Sequence, residues 1–158
     1  MCGIGDYAFL LASQLRADRP DVAIRFAVSD PSNPSTPEVD GFPKTLVDVR
    51  DEAALLRHFE EFAPTGSLLL QYAQYDFDDR ARPAALVSAL VRWRKGAPDR
   101  RLGISVHEIW LPSLVRRREW RDYPFQWLIA RRLFRAPDRV FVNNRRSIAR
   151  VASLRGRA

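Results

Sequence analysis

Arg101-Leu102-Gly103-Ile104-Ser105-Val106-His107-Glu108-Ile109 is the stretch whose reading decides the fold. Leu102 to Val106 is a short apolar run of the kind that crosses a protein as a buried parallel strand. It stops at His107-Glu108, a titratable pair at the carboxyl end of that strand. In open α/β sheets this is the rim where ligands bind. His107 is one of only two histidines in the chain.

The segments on either side repeat the same alternation. Upstream, Ser67 to Tyr72 (SLLLQY) reads as a second strand, its continuous apolar run pointing to burial on both faces. Ala73 to Asp79 is then a polar, aromatic loop on the same rim as His107. Asp76, Asp78 and Asp79 lack the glycine and distal glutamate of a calcium loop, so no metal site is expected there. Pro83 suits the first turn of a helix whose apolar face is Leu86, Val87, Leu90 and Val91, and which closes at Gly96-Ala97-Pro98. Downstream, Ser113 to Tyr123 is basic and aromatic, with Arg116-Arg117-Arg118 and Trp120. Pro124 starts a helix to about Arg135 that is expected to bury Trp127, Leu128, Leu133 and Phe134. Arg139–Val142 is a strand, and Asn143-Asn144 leads into a last helix ending at Ala158.

Nearer the N-terminus, Asp51–Phe62 is a helix capped or begun by Asp51, with Leu55, Leu56, Phe59 and Phe62 on one face. His58 lies beside that face as a surface or boundary residue. Thr45–Val49 and Val22–Val28 are strand candidates. Residues 29–43, with four prolines and Gly41, read as a long irregular connection. Gly3-Ile4-Gly5-Asp6 precedes a helical pattern of Tyr7, Leu10, Leu11 and Leu15, with Asp6 as its cap. A Gly-x-Gly turn feeding a helix lets backbone N–H groups approach a phosphate, but no residues remain before it for the strand that usually precedes such a loop. The alternation of strand and helix patterns says α/β with a parallel sheet and helices on both faces, in a single domain over residues 1–158.

Composition narrows the classes of function. With 158 residues, 46% of them hydrophobic, the chain can bury one core. The single Cys2 excludes an internal disulfide framework and a cysteine-based zinc site. With no apolar run of membrane-spanning length and no signal peptide, a cytoplasmic setting is expected. Residues 1–79 hold 6 Lys/Arg against 14 Asp/Glu, and residues 80–158 hold 20 against 5. These are balances of −8 and +15 within the net +7. The basic half suggests an anionic partner. Arginine outnumbers lysine 24 to 2, which a compositional bias of the source genome also explains.

Four motifs in order carry a resemblance: Gly3-x-Gly5-Asp6-Tyr7, Leu70-Gln71-Tyr72-x-x-Tyr75, Ser105-Val106-His107-Glu108, and Val140-Phe141-Val142-Asn143-Asn144. Their order and spacing resemble the N-terminal half of a GT-B glycosyltransferase, nearest the retaining, family 4-like (group 1) enzymes. The resemblance implies a Rossmann-like, acceptor-side domain. Gly3 and Gly5 would approach the phosphates of a nucleotide sugar. His107 would be the catalytic-site histidine beside the transferred sugar, with Glu108 next to it. Asp6, Gln71, Tyr72 and Tyr75 would line the acceptor side of the cleft. No cofactor and no metal are implied; the nucleotide sugar is a co-substrate, and the acceptor is a glycan or a lipid-linked molecule.

Two departures from that pattern follow. The first strand of the sheet is missing, which in the usual order leaves a gap between strand 22–28 and strand 67–72. The C-terminal donor domain is missing too. The chain then reads as a piece of a longer enzyme, or a gene-prediction product truncated at both ends, inactive by itself. A rival reading is a basic module for nucleic acid or anionic membrane, built on Arg116, Arg117, Arg118, Arg131, Arg132 and Arg135 with Trp110 and Trp120. No recognised nucleic-acid motif is present. In the glycosyltransferase reading the same surface gives peripheral contact with the inner face of a membrane. A non-catalytic sugar- or partner-binding relic is the third reading.

Overall fold

A computed structural model of the chain describes residues 3–29, 37–73, 76–78, 82–109 and 123–156. The described residues form a mixed α/β protein of five helices and six strands. They group into two compact units, Met1–Asp48 and Val49–Ala158.

The first unit holds helix α1 (Gly3–Asp18) and strands β1 (Phe26–Val28), β2 (Glu38–Val39) and β3 (Phe42–Leu46), in sheet order β1-β3-β2. β1 is parallel to β3, and β2 is antiparallel to it. The strands expected at 22–28 and 45–49 are therefore shorter or displaced. The expected irregular connection contains a hairpin, closed by Asp40 (φ 46°) and Gly41 (φ 76°) between the paired Val39 and Phe42. Positive φ at both central residues matches the twist of the flanking strands, which is why Asp-Gly favours this turn. Phe42 is the centre of the small core: Phe9 and Phe26 meet it edge-on, and the Arg16 guanidinium lies 3.9 Å from its ring centroid. Tyr7, Leu10, Leu11 and Leu15, on the apolar stripe that the spacing predicts, are exposed; Ala12 is the buried residue of α1.

The second unit holds α2 (Glu52–Phe62), β4 (Ser67–Ala73), α3 (Ala84–Gly96), β5 (Arg101–Glu108), α4 (Tyr123–Arg135), β6 (Arg139–Val142) and α5 (Arg145–Arg155). Its sheet is wholly parallel, in order β4-β5-β6. Among the described residues each unit thus holds one three-stranded sheet. β1 is an end strand of the first sheet and β4 an end strand of the second.

Helix starts follow the local chemistry. Asp51 caps α2 by accepting from the Ala54 N–H, and Asn144 caps α5 by accepting from the Ser147 N–H. Within this unit α2 packs on α3, α3 on α4 and α4 on α5, so the helices form one row. Leu102, Ile104 and Val106 of β5 are fully buried, on the face that also carries Leu68, Leu70 and Tyr72. On the other face Leu69 is 44% exposed and Phe141 54% exposed. The expected burial of both faces of β4 is therefore not met at Leu69. α3 buries the predicted Leu86, Val87, Leu90 and Val91, and Trp93 in addition. α4 turns Leu128 outward at 60% exposed, against expectation, and buries Gln126, Ala130, Leu133 and Phe134.

Two polar nodes fix this unit. The Trp93 Nε1–H donates to the Ala63 carbonyl at 2.8 Å. Buried Arg100 donates to the Pro64 carbonyl (2.9 Å) and the Trp93 carbonyl (2.8 Å), so the turn before β4 is pinned to the end of α3. Asp138 accepts both Arg94 Nε–H (2.8 Å) and Nη2–H (2.7 Å), and also the Leu102 N–H (2.8 Å). Its own N–H donates to the Leu102 carbonyl. The Arg94 guanidinium, then the Leu102 N–H, hold its carboxyl well below the usual carboxylate range.

Charge-assisted hydrogen bonds of this kind, broken on one side, cost about 2 kcal/mol. Asp138→Ala is expected to lower the unfolding free energy by about that much in chemical denaturation. Because the folded carboxyl titrates below the unfolded one, this stabilisation is present above the ordinary value of 3.8 and is lost as pH falls below it. Asp138→Asn should lack that part of the acid limb.

Candidate functional site

β4 and β5 pair residue for residue from Ser67 opposite Arg101 to Tyr72 opposite Val106. The next pair is Ala73 opposite Glu108. His107 is therefore an extra residue in β5, a β-bulge, which is uncommon in a parallel ladder and re-aims the side chain it carries. Its ring turns toward β4, where His107 Nε2 and Gln71 Oε1 lie within hydrogen-bond distance at 2.7 Å. The ring is half-buried. Burial lowers its pKa from 6.5, against a smaller upward pull from the Asp76 carboxylate. Asp76 belongs to the turn after β4, its N–H donating to the Ala73 carbonyl. Just past the bulge, buried Ile109 offers its carbonyl to Arg150 Nη1–H of α5 at 3.1 Å. Both ends of the rim are thus tied to secondary structure.

The structure brings together Gln71, His107 and Asp76, with Glu108 exposed beside them. Tyr72 is placed differently. Strand alternation turns its ring to the helix-covered face, where it is 1% exposed, edge-on to Phe134 at 5.7 Å and stacked on Phe77 at 6.1 Å. Burial pushes its hydroxyl pKa far up. Tyr72 is a core residue and does not line a cleft. Tyr75 and Arg116, Arg117 and Arg118 lie outside the described residues.

Gly3, Gly5 and Asp6 belong to the first unit. The two glycines sit within α1 and not in a loop ahead of it, and Asp6 is in its first turn and not at its cap. A Cβ added to either glycine would meet nothing within 4 Å, so the fold itself does not require glycine there. Arg131, Arg132 and Arg135 lie on α4. Arg131 stacks over Trp127 at 4.8 Å, and Arg132 reaches Ser88. Helical spacing aligns Phe125, Leu128, Arg132 and Arg135 along one outward face, all exposed.

The sequence reading does not find the bulge, the Gln71 to His107 hydrogen bond, or the exposed apolar end of α4. A bulge depends on the partner strand's register, which no local pattern records. A groove of about 470 Å³ lies on the outer sheet face toward the amino ends of the strands, lined by Leu69, Gly103, Arg139 and Phe141 among others. His107 does not line it. Among the described residues no group of three or more His, Cys, Asp or Glu could hold a metal ion. No described helix is long and apolar enough to cross a membrane.

His58, its ring tilted against Phe62 with centroids 4.4 Å apart, is also lowered in pKa by burial. Both histidines thus bind protons less readily in the folded chain than in the unfolded one. Stability contributed by their neutral forms is lost as pH falls below the unfolded value of 6.5. The thermal midpoint is expected to drop between pH 7 and about 5.5. The His58→Gln/His107→Gln double variant should show a flatter dependence over that interval in a scanning melt.

Comparison with family models, with curated proteins and with solved structures finds no match to the chain.

Proposed function

We propose that the chain is the acceptor-binding half of a GT-B glycosyltransferase of the retaining, family 4-like kind, transferring a sugar from a nucleotide sugar to a glycan or lipid-linked acceptor, and inactive without a donor domain. The observation that carries this reading is the placement of His107. A half-buried imidazole, displaced from the ladder by a bulge and held by Gln71, stands at the carboxyl rim of a parallel sheet. That rim is where α/β folds bind ligands, and bulges occur disproportionately beside active sites.

In this reading His107 orients the transferred sugar, and Gln71 and Glu108 face the acceptor side. A leaving nucleoside diphosphate is stabilised by cationic groups and helix N-termini, so the chemistry asks for no metal from this chain. The expected setting is the cytoplasm.

The test follows the ring signals of His107 by NMR while the purified chain is titrated with UDP-, GDP- and ADP-linked hexoses. A saturable change at His107 with at least one donor, without turnover, is expected. No response to any donor at millimolar concentration removes the reading. Robust transfer by residues 1–158 alone contradicts the claim of inactivity.

One observation favours a second role for the same chain. The outward face of α4 combines Phe125 (59% exposed) and Leu128 (60% exposed) with Arg132 and Arg135. An apolar end joined to a cationic end is the pattern of a helix that rests on an anionic lipid surface. Each arginine near such a surface contributes about 1 kcal/mol. The Arg132→Ala/Arg135→Ala variant is therefore expected to bind phosphatidylserine-containing vesicles roughly 30-fold more weakly in co-sedimentation. Salt-sensitive binding to oligonucleotides but not to vesicles would instead favour the nucleic-acid module.

A further inference from the structure

We infer that the open edge of β4 docks a second copy of this chain, the two β4 strands pairing antiparallel across a two-fold axis. Among the described residues four strands end a sheet: β1, β2, β4 and β6. Three of them are short, with three, two and four residues, and β2 carries Glu38 while β6 carries Arg139. Shortness and charge are the means by which proteins keep an edge from pairing. β4 uses neither. It runs for seven residues, Ser67–Ala73, with no charged side chain and no proline. One edge is paired with β5, and the other presents its N–H and C=O groups with no described strand beside them.

Burial falls off toward that edge. Leu102 and Ile104 of β5 are fully buried, while Leu68 and Leu70, paired with them on the same face, are only half-buried. On the other face Leu69 is 44% exposed. An apolar strand added at the edge would cover β4 on both faces.

A second copy supplies that strand with matched ends. Identical edges related by a two-fold axis run antiparallel. In the register centred on Leu70 the whole strand pairs: Leu70 meets the partner's Leu70, Leu68 the partner's Tyr72, Leu69 the partner's Gln71, and Ser67 the partner's Ala73. Opposite residues share a face, so the apolar surface continues across the axis. Charge agrees with this direction. Exposed Arg101 lies beside Ser67 at the amino end of β4, and exposed Asp76 follows its carboxyl end. Antiparallel pairing brings the Arg101 end of one copy to the Asp76 end of the other, whereas parallel pairing would join like ends.

Sedimentation equilibrium of the whole chain from micromolar to millimolar concentration tests the inference. A reversible rise from 18.2 kDa to twice that mass is expected. Leu69→Lys, at an exposed position, puts a charge on the edge and should weaken the dimer about tenfold or more. In a Cys2→Ser background, Leu70→Cys should give a disulfide-linked dimer on mild oxidation, because Cβ atoms of directly opposite residues lie about 5 Å apart. Ser67→Cys should not, since its own counterpart stands about 20 Å away along the strand.

A chain that stays monomeric over the whole range overturns the inference. So does a dimer that Leu69→Lys leaves unchanged, an assembly that grows past the dimer, or Ser67→Cys cross-linking as readily as Leu70→Cys. If Leu69→Lys does not fold, the two cysteine variants decide the question. The dimer does not rest on the transferase reading, and a protein silent toward every nucleotide sugar would still show it.

Discussion

The second unit depends on the carboxylate of Asp138. One side chain binds the Arg94 guanidinium through both oxygens and also accepts the first apolar N–H of β5 at Leu102. The Asp138 N–H returns a bond to the Leu102 carbonyl. This couples the end of α3, the start of β5 and the start of β6 at a single point. Both charged partners are less than a third exposed, so the pair is better shielded from water than an ordinary surface ion pair. The register of a parallel strand sets which residue ends it. Fixing Leu102 against Asp138 therefore fixes, five residues on, the place where His107 leaves the ladder.

The elements legible in the sequence are those whose burial has a clear period. SLLLQY and LGISV become β4 and β5 because each is an apolar run bounded by Gly or Pro turns. α2 and α3 follow from apolar spacing together with a cap or a first-turn proline. Failures occur where a long-range partner decides the outcome. Leu128 fits the apolar stripe of α4 but faces outward, because the contacts with α3 and α5 select the face carrying Ala130, Leu133 and Phe134. Tyr72 belongs to a motif that resemblance assigns to the acceptor side, yet strand alternation sends it into the core. Asp40-Gly41 was a readable signal, since Asp-Gly is a favoured hairpin turn; four prolines around it hid two short strands.

The candidate site divides the same way. Strand-end position alone is enough to single out His107. Gln71 enters by resemblance, and its link to His107 depends on a one-residue offset between two strands 36 positions apart. The buried Trp93–Arg100 node is a second case of structure without a sequence signature. Arginine is seldom fully buried unless its donors are satisfied. Arg100 meets that condition with the backbone carbonyls of Pro64 and Trp93, and so sets the entry into β4. The strand that carries Gln71 is thus positioned by Arg100, and the strand that carries His107 by Asp138.

This arrangement has a consequence for charge at the rim. Burial favours the neutral ring of His107, and the Asp76 carboxylate favours the imidazolium. The two influences oppose each other, and burial is the larger. Its orientation need not follow. Where Nε2 bears the hydrogen, Gln71 Oε1 can accept from it in the neutral ring and in the imidazolium alike. A carboxylate at position 71 would also hold the ring, but it would bias the ring toward the charged form. A neutral amide acceptor fixes geometry and leaves protonation to burial and to Asp76.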